Sequence, residues 1–172
     1  APIILTPTSA LYGVSVSPTL SWNTVMGTTK YHLQISSDSL FSSIVAQDTN
    51  IAQTSKQVGP LRSGTTYWWR VRSSNSLNLS SFSQVWNFTT LIAPPTNLSA
   101  AAGNHTTHLT WSGSDSPNLK LYTIYRGTIP SPAILFDSVS ASSNSYVDSG
   151  LINKTRYYYR IKTVNNAYFE SD

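Results

Sequence analysis

The sequence contains no cysteine, so no disulfide holds the fold, and compartment cannot be read from thiol chemistry. That absence excludes the disulfide-stapled kind of small extracellular domain. Charge is also scarce, with Asp, Glu, Lys and Arg at 10% of 172 residues against about 25% in an average globular chain. The acids Asp38, Asp48, Asp115, Asp137, Asp148, Glu170 and Asp172 stand mostly singly, in expected loops. None pairs at a spacing that would set two carboxylates to acid–base work. A nucleophile elbow and a phosphate loop are both missing, so the expectation is no enzyme and no cofactor. The net charge of +4 comes without a basic tract, its densest spot being Arg70 and Arg72, which speaks against nucleic acid. His105 and His108 are three apart, on opposite faces of a strand, and His32 stands alone on a polar face. All three read as surface residues, not metal ligands. No run approaches the roughly 18 apolar residues of a bilayer span, so no membrane insertion is expected. The chain starts at Ala1 without a leader, as a mature or excised segment would.

What the sequence does have is hydroxyls and rings. Ser and Thr make up roughly a quarter of it, a surface kept wet by neutral polar groups. Aromatic residues at 12% exclude disorder, because disordered chains lack the rings needed to build a core. Apolar residues recur with period 2 in short runs bounded by Ser, Thr, Asn, Gly and Pro, the pattern of an all-β chain. Leu20 and Trp22 share a face, as do Tyr31, Leu33 and Ile35. In Tyr67–Arg72 the period sends Tyr67, Trp69 and Val71 inward and Trp68, Arg70 and Arg72 outward.

An internal repeat organises these strands. Leu61–Asn75 lies over Leu151–Asn165 without a gap, and Trp22 matches Trp111 at nearly the same offset. A period of about 90 residues is that of a whole sandwich domain, not a solenoid repeat. Between the copies, Pro94 and Pro95 stiffen a short linker. The reading is therefore two domains, 1–91 and 94–172. Their cores should centre on Trp22, Leu33, Tyr67, Trp69 and Phe88 in one, and Trp111, Ile124, Tyr157, Tyr159 and Ile161 in the other.

The stretch from Leu61 through Tyr67, Trp69, Arg70 and Val71 to Asn75, and its copy from Leu151 through Tyr157, Tyr159, Arg160 and Ile161 to Asn165, resembles the strand E-to-F region of fibronectin type III domains. Trp22 and Trp111 match that family's strand B tryptophan. Tyr122–Arg126, Ser145–Asp148 and Trp86–Thr90 resemble its bacterial extracellular version. The resemblance implies two consecutive immunoglobulin-like β-sandwiches, with Tyr67 and Tyr157 as corner tyrosines whose hydroxyls meet nearby backbone. It implies little about function, since sandwich modules host many roles. In bacteria such domains serve as spacers and adhesion modules of secreted or surface proteins, often beside polysaccharide-degrading domains.

The first copy runs on after Asn75 through Trp86 and Phe88, its last strand, whereas the second stops at Asp172; the second sandwich is thus expected to lack its final strand. The strand before it would expose an acceptor edge at Arg156, Tyr158, Arg160 and Lys162. Either the chain continues, or another chain donates a strand, the donor being Ala1–Thr6 with Ile3 and Leu5 while Leu11–Ser17 takes over as first strand. The outward residues Trp68, Arg70, Arg72, Tyr158 and Arg160 form a candidate ligand face suited to polysaccharide, with Trp68 stacked on Arg70. Asn78, Asn87, Asn97, Asn104 and Asn153 head N-x-S/T triplets, the acceptor pattern for glycosylation. Three roles fit: a non-catalytic extracellular structural or adhesion spacer, a filament subunit joined by strand donation, and a carbohydrate-binding accessory module. The expected partners are other domains of the same or neighbouring chains, further copies of itself, or polysaccharide.

Overall fold

A computed structural model describes residues 1–172 as fourteen strands and no helix. They fall into two compact units, Ala1–Leu91 and Ile92–Asp172.

In the first unit β1 (Ile4–Thr6), β3 (Thr19–Trp22) and β6 (Ser55–Gln57) form one sheet, in the order β1-β3-β6. The facing sheet holds β2 (Leu11–Val14), β4 (Lys30–Ser36), β5 (Ile44–Ile51), β7 (Thr66–Ser74) and β8 (Trp86–Thr90), in the order β2-β8-β7-β4-β5. Along β7 buried and half-buried residues alternate without a break, which is the signature of one face on the core and one on the outside. Between the sheets lie Leu20, Trp22, Tyr31, Leu33, Ile35, Tyr67, Trp69, Val71 and Phe88, all buried. Trp22 meets Tyr31 edge-on at 5.4 Å, and Tyr67 tilts against Phe88 at 6.1 Å. The Tyr67 hydroxyl accepts the Arg62 amide at 3.1 Å, pinning the turn before β7. Gly59 enters that turn at φ +103°, where a Cβ would lie 2.4 Å from the Val16 carbonyl oxygen, so only glycine fits.

Neither N-terminal run is spare. Ile4 lies opposite Trp22 in antiparallel register and is buried, leaving Ile3 and Leu5 exposed. The expected donor phase is thus off by one residue, because pairing with β3 turns Ile4 inward. Leu11–Val14 crosses to the other sheet and pairs in parallel with β8.

The second unit repeats the plan with fewer strands. One sheet joins β9 (Thr96–Ala102), β10 (Thr106–Ser112) and β13 (Ser145–Ser149), in the order β13-β10-β9. The other joins β11 (Leu119–Gly127), β12 (Leu135–Ser140) and β14 (Tyr158–Asn165), in the order β12-β11-β14. Trp111 meets Tyr122 edge-on at 5.5 Å, and the Tyr157 hydroxyl accepts the Ile152 amide at 3.3 Å, each as in the first unit. The buried core is smaller, made of Leu109, Trp111, Tyr122, Ile124 and Ile161. Tyr157 and Tyr159, expected inside, are only half-buried. Here β14 is an edge strand, while β7, its repeat, lies between β4 and β8. With no counterpart of Phe88 beside it, Tyr157 keeps one side open. β9 is likewise exposed along its whole length, Leu98 included.

Candidate functional site

β7 turns Trp68, Arg70 and Arg72 to the outer face of the five-stranded sheet, beside His32 and Gln34 of β4, with Arg70 opposite Gln34 and Arg72 opposite His32. The Arg70 guanidinium sits between two rings, 3.9 Å from the centre of Phe41 and 4.1 Å from that of Phe82. Arg72 lies 4.6 Å over the same Phe82 ring. The expected stack of Trp68 on Arg70 is therefore not what forms. Phenylalanines from the β4–β5 and β7–β8 connections, distant in sequence, fold over the arginine first. Arg70 donates from Nε and Nη2 to Gln34 Oε1 at 2.9 and 2.8 Å, and Arg72 Nε donates to His32 Nδ1 at 3.1 Å.

His32 is thereby 8% exposed, not the surface histidine its polar neighbours suggest, because Phe82 covers it at 5.6 Å. Burial pushes its pKa down, and the charges of Arg72 and Arg70 add to the effect. Burial, and then the charge of Arg72, also lowers the pKa of Arg70. Asp38, in the loop that carries Phe41, is held down at about 2. The partial burial that would raise it is outweighed by donors from its own loop, with the Leu40 and Ser43 amides at 2.9 and 2.8 Å.

The matching face of the second unit is built differently. Tyr158, Arg160 and Lys162 are half-buried on β14, and Arg160 lies 4.9 Å over the Tyr125 ring. Glu170 enters this face, accepting from Thr123 Oγ1 at 2.6 Å and Tyr125 at 2.8 Å and pairing with Lys162 at 3.5 Å. Against its partial burial, these contacts hold the Glu170 carboxyl below its ordinary range. Arg156, expected on the edge, precedes β14 and is exposed. In the first unit β7 begins at Thr66 because β8 pairs with it there; nothing pairs with Arg156. Beyond β14 the chain repeats only the first contacts of the β7–β8 return. The Ser171 amide donates to the Thr163 carbonyl at 2.9 Å, as that of Ser80 does to Ser73.

The two units also differ where their sheets close. In the first, Lys56 of β6 reaches Asp48 of β5 at 2.8 Å above a cleft of about 260 Å³ lined by Leu33, Ile35, Ala46 and Val58. In the second, Tyr146 of β13 donates to Asp137 of β12 at 2.7 Å. Behind it Arg126 and Asp148 pair at 2.8 Å, Tyr159 donates to the other Asp148 oxygen at 2.7 Å, and Arg126 stacks 3.5 Å over Phe136. Desolvation and the adjoining carboxylates, Asp137 for Tyr146 and Asp148 for Tyr159, push both phenols up to about 12. Sequence reading missed this network, although a signal was there: Arg126 is in phase with Tyr122 and Ile124, and Asp148 with Tyr146.

His105, at a positive φ before β10, bonds the Leu151 carbonyl through Nδ1 at 2.7 Å, and His108 is exposed on β10. Of the triplet asparagines, Asn78, Asn97, Asn104 and Asn153 are exposed and Asn87 is half-buried on β8. Asn97 spends its side-chain nitrogen on Ser112 at 3.1 Å and Asn153 on Asn104 at 2.9 Å.

No protein-family model matches this sequence, and no curated protein matches it. Among solved structures it is similar to a two-domain fibronectin type III segment of chicken tenascin, at 18% identity and a TM-score of 0.63, over 100% of this chain and 93% of that one. It also aligns with the FN1–FN3 domains of chicken CNTN1, at 16% identity and a TM-score of 0.41, over 100% of this chain and 62% of that one. The tenascin segment establishes the fold: two consecutive fibronectin type III sandwiches.

Proposed function

We propose that this chain is a non-catalytic structural and adhesion module, a spacer array within a secreted or surface protein. The observation that carries the reading is the repetition of one scaffold with unlike outer faces. Both units keep the corner tyrosine bond, Tyr67 to Arg62 and Tyr157 to Ile152, and the Trp–Tyr core pair. What varies is the outer face and the closing contact between sheets, as expected of modules selected for reach and surface rather than chemistry. The surface itself, rich in hydroxyls and poor in charge, suits an extracellular setting. Antibody raised to the chain should label intact cells of the source, and protease added outside should strip that label; label found only after lysis would overturn the reading.

The filament reading is set aside, because its expected donor, Ala1–Thr6, is engaged with β3 of its own unit.

A further inference from the structure

We infer that the outer face of β4 and β7 in the first unit binds an acidic polysaccharide, a sugar ring stacking on Trp68 while its carboxylate or sulfate meets the Arg70–Arg72 pair. The inference names a ligand for the adhesion module proposed above and rests on that reading.

The guanidinium groups are held ready before any ligand arrives. Arg70 is fixed between Phe41 and Phe82 and by its fork on Gln34. Arg72 is fixed by Phe82 and His32. An arginine already ordered by its neighbours gives up little rotamer entropy on binding an anion, and its planar fork matches a carboxylate or sulfate. The contacts use Nε and one terminal nitrogen, Nη2, of Arg70 and Nε of Arg72, which leaves both Nη groups of Arg72 and Nη1 of Arg70 for a ligand.

The charge of this pair is also uncompensated. Lys56–Asp48, Arg126–Asp148 and Lys162–Glu170 are ion-paired, and none of these pairs involves Arg70 or Arg72. Asp38, in the adjoining loop, is spent on the amides of Leu40, Ser42 and Ser43 and on the Ser36 hydroxyl. Two like charges on neighbouring positions of one strand repel, and an anion bridging them relieves that repulsion. The repeat supplies an internal control, because on β14 the equivalent cations Arg160 and Lys162 share their face with Glu170. In the first unit neither arginine is ion-paired, the nearby carboxylates Asp38 and Asp48 being bonded to loop amides and to Lys56.

Trp68 extends the same face along β7 and is half-buried with no ring packed on it. A flat indole beside a fixed pair of cations suits an acidic sugar ring, apolar on one face and charged at its rim. Nucleic acid is disfavoured, since its affinity grows with the number of phosphates neutralised and this face offers two arginines.

Affinity electrophoresis of the full chain through gels containing polygalacturonate, dextran sulfate or neutral dextran tests the inference. Retardation by a charged polymer and not by dextran is expected. Arg72→Gln should weaken it about tenfold or more, the worth of one charge-assisted contact. Trp68→Ala should weaken it as well. Arg72→Lys, which keeps the charge, should bind better than Arg72→Gln, and Arg160→Gln should leave binding unchanged. Circular dichroism of each variant confirms its fold. No retardation by either charged polymer, retardation indifferent to Arg72 and Trp68, or stronger retardation by single-stranded DNA would each overturn the inference. Those outcomes leave surface labelling of cells untouched, so the ligand and the module reading fail separately.

Discussion

Arg126 and Asp148 meet at 2.8 Å in the second unit, at the places that Ile35 and Val58 hold in the first. The register fixes the equivalence: Ile35 lies opposite Trp69 on β7 and Arg126 opposite Tyr159 on β14, while the Val58 amide bonds Pro18, four residues before Trp22, and Asp148 lies opposite Thr107, four before Trp111. An apolar trio in one sandwich is thus a hydrogen-bonded ionic trio in the other. Asp148 is fully buried, and a buried charge is tolerable only when paired and hydrogen-bonded.

Removing one partner should therefore cost more than replacing all three. Asp148→Ala strands the Arg126 guanidinium and the Tyr159 hydroxyl, and should destabilise the second unit by about 3–5 kcal/mol. The triple variant Arg126→Ile, Asp148→Val, Tyr159→Trp installs the trio of the first unit and should recover most of that loss or exceed the parent. Urea unfolding of the second unit measures both. A triple variant no better than Asp148→Ala would contradict the equivalence.

Acid should weaken the first unit through His32. Its folded pKa is lowered below the ordinary 6.5, so in acid the unfolded chain takes up a proton that the folded one refuses. The stability this contributes is present above pH 6.5 and is lost as pH falls through the folded pKa. His32→Gln should remove that part of the acid dependence. Thermal unfolding from pH 7.5 to 5 follows it, and an unchanged slope in the variant would contradict it.

Alkali should weaken the second unit through Tyr146 and Tyr159. Their folded pKa values of about 12 stand above the ordinary 10.0, so between those limits the unfolded chain has lost protons that the folded one keeps. Stability present below pH 10 should fall as pH rises toward 12. Tyr159→Phe should flatten the fall and remove one of the late-titrating tyrosines that phenolate absorbance shows in the folded parent.

Much of this architecture was legible in the sequence. Period 2 and the gapless repeat of Leu61–Asn75 over Leu151–Asn165 placed the strands, because a strand with one face on a core has no other way to hide its apolar side chains. What escaped depended on loops arriving from afar. Phe41 and Phe82 take the place beside Arg70 assigned to Trp68, and nothing local to Arg70 announces them. The burial of His32 follows from Phe82 in the same way. Ile4 rather than Ile3 or Leu5 turns inward because pairing with β3 sets the phase, and a short run cannot reveal its partner's register.

The contrast between β7, flanked on both sides, and β14, open on one, carries the account of two like scaffolds with unlike faces. Amide hydrogen exchange tests it directly. The amides of Trp69 and Val71 face the β8 side of β7, where Val71 donates to Ser83 Oγ at 3.0 Å. Those of Tyr159 and Ile161, in phase with Thr163, face the open side of β14. Unpaired edge amides exchange through local opening, whereas paired amides inside a sheet await larger unfolding. Exchange at Tyr159 and Ile161 should be faster than at Trp69 and Val71 by about a hundredfold or more. Equal protection at the two pairs would contradict the open edge and, with it, the difference between the units.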